Sequence, residues 1–336
     1  MNRVLITGAN GLVGSATTRR FVEAGYQVSA LCRAGSDLSL LEDIFYKISI
    51  IEGDVLDIFS LEKALENQDF VVHTAALVSF APKDRNQMFK VNVEGTANVV
   101  NICLEKKVKK LCYISSIAAL GRPTSASEKI YGGVIDEKQK WEDSPLNSNY
   151  AKSKFEGELE VWRGEAEGLA VLVVNPSIIL GEGDWHKSST QLFKYVYDEN
   201  KYYTNGNFNY VDVKDVVEAI FQLTSSNIQG ERFILNGGTL TYREFFNKIA
   251  ANFGKKAPSK TLSPFAIELL WRIEAIRAFI TKKAPLITKE TAHNSRTKFA
   301  YKNEKIQKAI NFSFTPIDET ISRVVNFLQK EKLHKG

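Results

Sequence analysis

Short apolar runs alternate with helical patterns through the first half of the chain. Arg3–Ile6, Gln27–Cys32, Ile48–Glu52, Phe70–His73 and Lys110–Ser115 are short, apolar and rich in aliphatic residues, which predicts strands. Between them, Leu12–Glu23, Leu61–Glu66 and Lys90–Glu105 carry apolar residues at helical spacing, and Gly25 ends the first of these. Strands apolar on both faces and separated by helices imply a parallel sheet covered on both sides. The stretch Arg122–Asn149 is polar and holds Pro123, Gly132, Gly133 and Pro145, so it reads as loop. A helix is predicted from about Tyr150 to Glu167, then a strand Leu169–Val174 that Asn175 and Pro176 end. Beyond it come longer helices and isolated strands, including Phe208–Val213 and Arg232–Asn236. The pattern predicts an α/β protein: a doubly wound parallel sheet over residues 1–175, then a smaller lobe over 176–336, with about 208–235 returning to the sheet.

Composition narrows the classes. The chain has 336 residues, enough for about two domains and for a core that needs no disulfide or metal. Its net charge of +5 comes from interleaved acids and bases, so a nucleic-acid partner is not expected. Cys32, Cys103 and Cys112 form no metal or CxxC pattern, and reduced thiols in a cytoplasmic protein are expected. Glycines interrupt the apolar opening MNRVLITGANGLVG, which does not read as a signal peptide. No apolar run approaches the roughly 18 residues of a membrane span. The segment Leu262–Ile280 is interrupted by Glu268, Arg272, Glu274 and Arg277, and reads as a packed amphipathic helix.

Candidate chemistry begins at the first strand. It runs into Thr7-Gly8-Ala9-Asn10-Gly11-Leu12-Val13-Gly14, a GxxGxxG turn that opens a helix. Glycine permits positive φ and close backbone approach, and a helix N-terminus offers free N–H groups to a diphosphate. Gly14 would let helix and strand pack closely. The context strand–turn–helix is the one a dinucleotide site requires. Sites for NAD place an acid about 20 residues on, at the ribose hydroxyl. Here Arg33 stands there, and a guanidinium pairs with a 2′-phosphate, so NADP is expected over NAD.

Tyr150 and Lys154 lie one helical turn apart on one face. An ammonium beside a phenol lowers its pKa, which lets Tyr150 exchange a proton with a carbonyl or alcohol. Ser115 and Ser116 end a predicted strand, where ligands of open α/β sheets bind. Ser116 is the expected substrate-oxygen ligand, because Ser115 should point back into the sheet.

These features in this order resemble the extended short-chain dehydrogenase/reductase superfamily, the NAD-dependent epimerase/dehydratase group. The resemblance spans nearly the whole chain through TGANGLVG (7–14), GDVLD (53–57), HTAALVSF (73–80), NVEGTANVV (92–100), YISSIAALG (113–121), YAKSK (150–154), NPSIILGEGD (175–184) and YVDVKDVVEAI (210–220). CRAGSDLSLL after the second strand looks most like the dihydroflavonol-4-reductase-like branch. The resemblance implies a Rossmann-type fold with a C-terminal substrate-binding lobe. It implies that Gly8, Asn10, Gly11, Leu12, Val13 and Gly14 line the diphosphate, and that Asp54 and Val55 flank the adenine. Ala75, Ala76 and Leu77 would lie along the ribose and nicotinamide, Pro176 at the carboxamide. Asn92 would position Lys154 or its helix, and His73 would be a structural strand residue. Asn175 departs from the arginine often found before that proline, and IAALG lacks the tyrosine of many sugar epimerases.

The implied activity is NADP-dependent reduction of a carbonyl or oxidation of an alcohol, with Ser116, Tyr150 and Lys154 catalytic. Two alternatives stand beside it: a nucleotide-sugar epimerase or dehydratase that retains its nucleotide, and a nucleotide-sensing regulatory module. Substrate choice is expected from Val78–Phe80, Leu120–Tyr131, Trp185–His186, Tyr202–Tyr203 and Phe265–Trp271, with Arg243 and Arg296 as candidate anion ligands. The mainly aromatic and aliphatic character of these segments tilts the expectation toward an apolar substrate. A monomer and a homodimer packed through Lys90–Glu105 and Tyr150–Glu167 are both compatible with the sequence.

Overall fold

The computed structural model describes residues 1–122, 133–144, 147–185, 189–263, 265–269, 271–272 and 298–335. Seven strands form one parallel sheet: β1 (Arg3–Thr7), β2 (Gln27–Cys32), β3 (Ile48–Glu52), β4 (Phe70–His73), β5 (Lys110–Ile114), β7 (Val171–Pro176) and β11 (Glu231–Leu235). Their spatial order is β11-β7-β5-β4-β1-β2-β3. The chain runs outward from β1 to β3, then returns to the other side of β1 to lay down β4. The reversal opens a crevice at the carboxyl ends of β1 and β4, the position where open α/β sheets take ligands.

Alternation along the strands feeds two cores. Val4, Ile6, Val72, Cys112, Leu172 and Val174 face one layer, with Phe21 of α1 (Leu12–Glu23) and Val216 and Ile220 of α7 (Val213–Ser225). Leu5, Val71, Leu111, Tyr113, Val171 and Val173 face the other, with Val99 and Cys103 of α4 (Gly95–Glu105) and Val161 of α5 (Asn149–Ala166). Burial on both faces is what made each run continuously apolar.

The helix expected over Lys90–Glu105 is longer and irregular. α3 (Arg85–Phe89) passes through a π turn, Lys90–Glu94, into α4. The extra residue there turns Asn92 into the interior, where it is buried. The short helix predicted over Leu61–Glu66 forms as α2 (Ile58–Ala64), started by the Asp57 carboxylate accepting from Phe59 N–H at 3.2 Å.

Of the segment 208–235, β11 joins the large sheet and α7 packs on α1. β10 (Asn207–Asp212) instead pairs with β8 (Ile178–Leu180) and β12 (Gly238–Thr241) in a separate three-stranded sheet. A third core gathers there: Phe193 of α6 (Thr190–Tyr197), Phe208 and Tyr210 of β10, Phe245 and Ile249 of α8 (Tyr242–Phe253), and Ile321, Val324 and Leu328 of α10 (Ile317–Lys335). Asp212 ties this core to the sheet layer. It caps α7 through Lys214 N–H at 2.8 Å, accepts from Thr320 Oγ1 at 2.6 Å and pairs with Arg323. Two short pairs complete the topology: β9 (Tyr202–Tyr203) with β13 (Lys260–Thr261), and β6 (Val134–Ile135) with β14 (Ala300–Tyr301). Among the described residues no helix is long and apolar enough to cross a membrane.

Candidate functional site

The glycine turn sits in the crevice. Gly8 has φ +64°, and a Cβ there would stand 2.7 Å from the Ala75 Cα. Gly14 lies deeper, and its Cβ would meet the Gly8 carbonyl oxygen at 2.2 Å. Neither position has room for any side chain, so both glycines hold α1 and the β4 end tight against β1. Gly11 differs: its φ is −83° and its added Cβ would meet only the Gly8 oxygen, at 3.4 Å. Its exposed backbone is accessible for close approach. Thr7 and Thr74 brace the turn, with Ala75 N–H donating to Thr7 Oγ1 at 3.2 Å and Thr74 Oγ1 donating to the Thr7 carbonyl at 2.6 Å.

The start of α1 carries no acceptor of its own. Asp57, Ser148, Asp212 and Thr241 each cap their own helix with a side-chain oxygen. α1 has no side-chain cap and no acid in its first turn. The first-turn N–H groups of Leu12, Val13 and Gly14 therefore lack an internal acceptor, as a diphosphate site requires. Arg33 is exposed just past β2, and its guanidinium has no protein partner among the described residues. Asn10 reaches across to the same loop, donating to the Asp37 carbonyl at 3.4 Å. Asp54 and Val55 follow β3; Asp54 accepts from Leu56 N–H at 2.9 Å, and Val55 is buried against Gly95. Ala75, Ala76 and Leu77 follow β4 along the crevice, and Pro176 ends β7 beside Leu235.

Tyr150, Lys154 and the two serines converge on the same edge. Ser148 starts α5, accepting from Ala151 N–H at 2.9 Å, and so fixes where Tyr150 points. Phe80 packs edge-on against the Tyr150 ring, centroids 5.8 Å apart. The Ser116 hydroxyl, which accepts from Ala118 N–H at 3.2 Å, is the side-chain group that favours the ionised form of the Tyr150 phenol. Burial pushes that phenol above its ordinary pKa, with Ser116 acting the other way. Ser115 faces the opposite direction, donating to Glu158 Oε2 at 2.7 Å. One β-strand step separates the two hydroxyls and sends them to opposite faces.

Lys154 is placed differently from the simple phenol–ammonium pair that the spacing suggests. Its side chain is buried, Nζ donates to the Ile114 carbonyl at 2.7 Å, and it lies over the Tyr113 ring at 4.3 Å. Burial draws its pKa down to about 7, opposed by the Glu158 carboxylate. Desolvation is the largest influence on both groups, because both are enclosed.

Glu158 is the residue that sequence reasoning missed. It is 1% exposed and four residues beyond Lys154. It accepts from Ser115 Oγ, from Asn175 Nδ2 at 3.0 Å and from Trp162 Nε1 at 3.2 Å, and pairs with Arg232 Nη2 at 2.8 Å. Asn175, which departs from the expected arginine, also donates to the Ser116 carbonyl at 3.0 Å. The guanidinium facing this carboxylate thus comes from β11, not from β7. The signal was present in the spacing: residues 150, 154 and 158 share one face, so a carboxylate on the buried side of the helix was readable.

Two further polar groups hold the frame. Asn92 Nδ2 donates to the Leu77 carbonyl and to Ser153 Oγ, both at 3.0 Å, while its Oδ1 accepts from Leu77 N–H at 2.8 Å. It thereby fastens the loop after β4 to the helix that carries Lys154. His73 is buried between Thr7 Oγ1 at 2.7 Å and Thr96 Oγ1 at 3.1 Å. Burial, reinforced by the nearby Lys154 charge, draws its pKa to about 3, so it stays neutral and structural.

The candidate substrate segments divide. Val78 is exposed and Phe80 touches Tyr150. Trp185 and Tyr203 belong to the third core; Trp185 stacks near Phe253 and donates to the Leu328 carbonyl at 3.1 Å. Tyr202, Phe265 and Leu269 are exposed, as is Arg243. His186, Arg296, residues 123–131 and most of 262–280 lie outside the described residues.

A family model described as the NAD dependent epimerase/dehydratase family matches residues 4–235, from β1 to the end of β11. The chain belongs to that family. This is an extended short-chain dehydrogenase/reductase, and its members bind a nicotinamide dinucleotide. Similar proteins include sterol demethylase protein B of Methylococcus capsulatus, 27% identical over 84% of each chain. A putative dihydroflavonol 4-reductase of Synechocystis is 25% identical, covering 96% of this chain and 94% of its own. Among solved structures, that of gox2253 superposes with a TM-score of 0.83 at 27% identity, covering 98% of this chain and 99% of the other.

Proposed function

We propose that the protein is an NADP(H)-dependent oxidoreductase that reduces a carbonyl or oxidises an alcohol at Ser116, Tyr150 and Lys154. The observation that carries this reading is that α5, which carries Tyr150, anchors the buried Lys154 on the Ile114 carbonyl at 2.7 Å, two residues before Ser116 at the carboxyl edge of the parallel sheet. Bound dinucleotide supplies or accepts the hydride. Ser116 holds the substrate oxygen, and Tyr150 gives it a proton or takes one. A phenol pushed up by burial stays protonated near neutral pH and can donate to a substrate oxygen. Lys154 stabilises the phenolate left behind, and Glu158 supports the ammonium that does so. The uncapped start of α1 with Gly8, Asn10, Gly11 and Gly14 would hold the diphosphate, and Asp54, Val55, Ala75, Ala76, Leu77 and Pro176 the remaining cofactor.

The preference for NADP rests on Arg33, exposed and, among the described residues, without a protein partner. We assign residues 176–336 mainly to substrate binding. The relatives carry the names sterol demethylase protein B and putative dihydroflavonol 4-reductase, which agree on no one substrate. A panel of ketones and aldehydes, followed by NADPH absorbance with NADH as control, tests the reading. Turnover should be faster with NADPH, and Arg33→Asp should shrink that preference at least about tenfold. Purified protein that keeps nucleotide through several columns and oxidises no NADPH would instead support the epimerase or dehydratase reading.

A further inference from the structure

Arg122 lies six residues past Ser116, after the 3-10 turn Ile117–Leu120 and Gly121. Its backbone N–H donates to Asn147 Oδ1 at 3.0 Å, one residue before the Ser148 cap of α5 and three before Tyr150. The side chain turns inward between the sheet edge and the C-terminal part of the chain. Its ionisable neighbours are Tyr301 of β14 and Tyr242, the first residue of α8. Nη1 is buried and has no hydrogen-bond partner among the described residues.

Other partly buried arginines are paired: Arg20 with Glu218, Arg232 with Glu158, and Arg323 with Glu182 and Asp212. Among the described residues no carboxylate acts on Arg122. The two phenols bring no counter-charge, since burial holds both protonated and pushes Tyr242 up to about 12. A guanidinium is charged at every working pH, and enclosing it without an anion is strongly unfavourable. A fold retains such a group where a ligand completes it.

We infer that Arg122 is an anion-binding residue of the substrate pocket, and that the substrate carries a carboxylate or phosphate besides its reacting carbonyl or hydroxyl. The guanidinium presents a planar fork of N–H donors that matches either group. Tyr242 and Tyr301 each have an O–H that can donate to the same anion. This corrects the tilt of the sequence toward an apolar substrate and rests on the oxidoreductase reading above. The segment Leu120–Tyr131 was marked for substrate choice, but the arginines singled out were Arg243 and Arg296.

The test separates the two claims. Keto acids from 3-oxobutanoate to 7-oxooctanoate, their methyl esters and the matching keto phosphates are titrated calorimetrically into the NADP-loaded protein. The same compounds are assayed for turnover with NADPH. At one chain length the wild type should bind the acid or the phosphate at least about tenfold more tightly than the neutral ester, the worth of a charged hydrogen bond. The anion giving the larger preference identifies the group. Arg122→Met should collapse that ratio, Arg122→Lys should restore part of it, and the melting temperature of Arg122→Met should not fall, because an unpaired charge is replaced by an apolar stem. No preference in the wild type, or an equal preference in Arg122→Met, would overturn the inference. Preference without turnover of any carbonyl would instead remove the oxidoreductase reading and leave the anion site standing.

Discussion

Lys154→Met tests the electrostatics of the site without needing a substrate. The Lys154 side chain is buried, with Nζ on the Ile114 carbonyl at 2.7 Å, and burial draws its pKa from 10.5 to about 7. In the unfolded chain the same group titrates near about 10.4. Between those values the unfolded chain holds a proton that the folded, nucleotide-free protein has shed. The unfolded state therefore binds more protons, and stability rises with pH across the window by about 1.4 kcal/mol per unit. Summed over about three units, the contribution is on the order of 4 kcal/mol. Below about pH 7 both states carry the proton and the slope ends. Methionine keeps most of the stem and removes the charge. Urea unfolding of wild type and variant at pH 7, 8 and 9, without nucleotide, reads the difference; most other titrations are common to both and cancel. Whatever its offset, the stability of Lys154→Met relative to wild type should be greatest at pH 7 and should shrink by about 1.4 kcal/mol per unit as pH rises. A difference that does not change with pH would mean that Lys154 keeps its proton when folded, and the desolvation argument would be wrong.

Gly14→Ala should be costly, because its Cβ would lie 2.2 Å from the Gly8 oxygen and 2.8 Å from the Ala9 Cα. We expect about 1–3 kcal/mol of lost stability in urea unfolding and at least about tenfold weaker NADPH binding by fluorescence titration. Glu158→Gln keeps the shape but leaves Arg232 without its anion and one amide group facing the donors of Ser115 and Asn175. A loss of about 3 kcal/mol is expected, the lower end for a broken buried pair since Arg232 is partly exposed. The same unfolding assay checks it, and an unchanged midpoint would show that the carboxylate is not a support of this edge.

Much of the fold was readable because the central strands β1, β4, β5 and β7 are buried on two faces and flanked by helices, which leaves a largely apolar run at each. The glycine turn was readable for a related reason: Gly8 and Gly14 sit where no Cβ fits, and that constraint is written as residue type. The strand Asn207–Asp212 was harder to place. Its local pattern says strand, but its partners β8 and β12 are set by long-range packing. The π turn at Lys90–Glu94 was invisible because one extra residue does not disturb helical periodicity enough to be seen. At the candidate site, Tyr150 and Lys154 were singled out by their spacing and Ser116 by its place at the end of a strand. Glu158 and Arg122 were missed: Glu158 shares the helix face of Tyr150 and Lys154, but a charged residue reads as solvated unless that face is recognised as buried, and a loop arginine such as Arg122 has no such face. The assumed influence of Lys154 on the phenol was incomplete for the same reason: sequence gives separation along a helix, but not the desolvation that competes with charge.

The account depends most on Tyr150 as the proton-transferring group. Its direct test is Tyr150→Phe, assayed for carbonyl reduction in single turnovers with NADPH bound, beside the NADPH dissociation constant of the same variant. The account predicts that reduction slows by about a hundredfold or more while nucleotide binding survives. Reduction at the wild-type rate in Tyr150→Phe would contradict it.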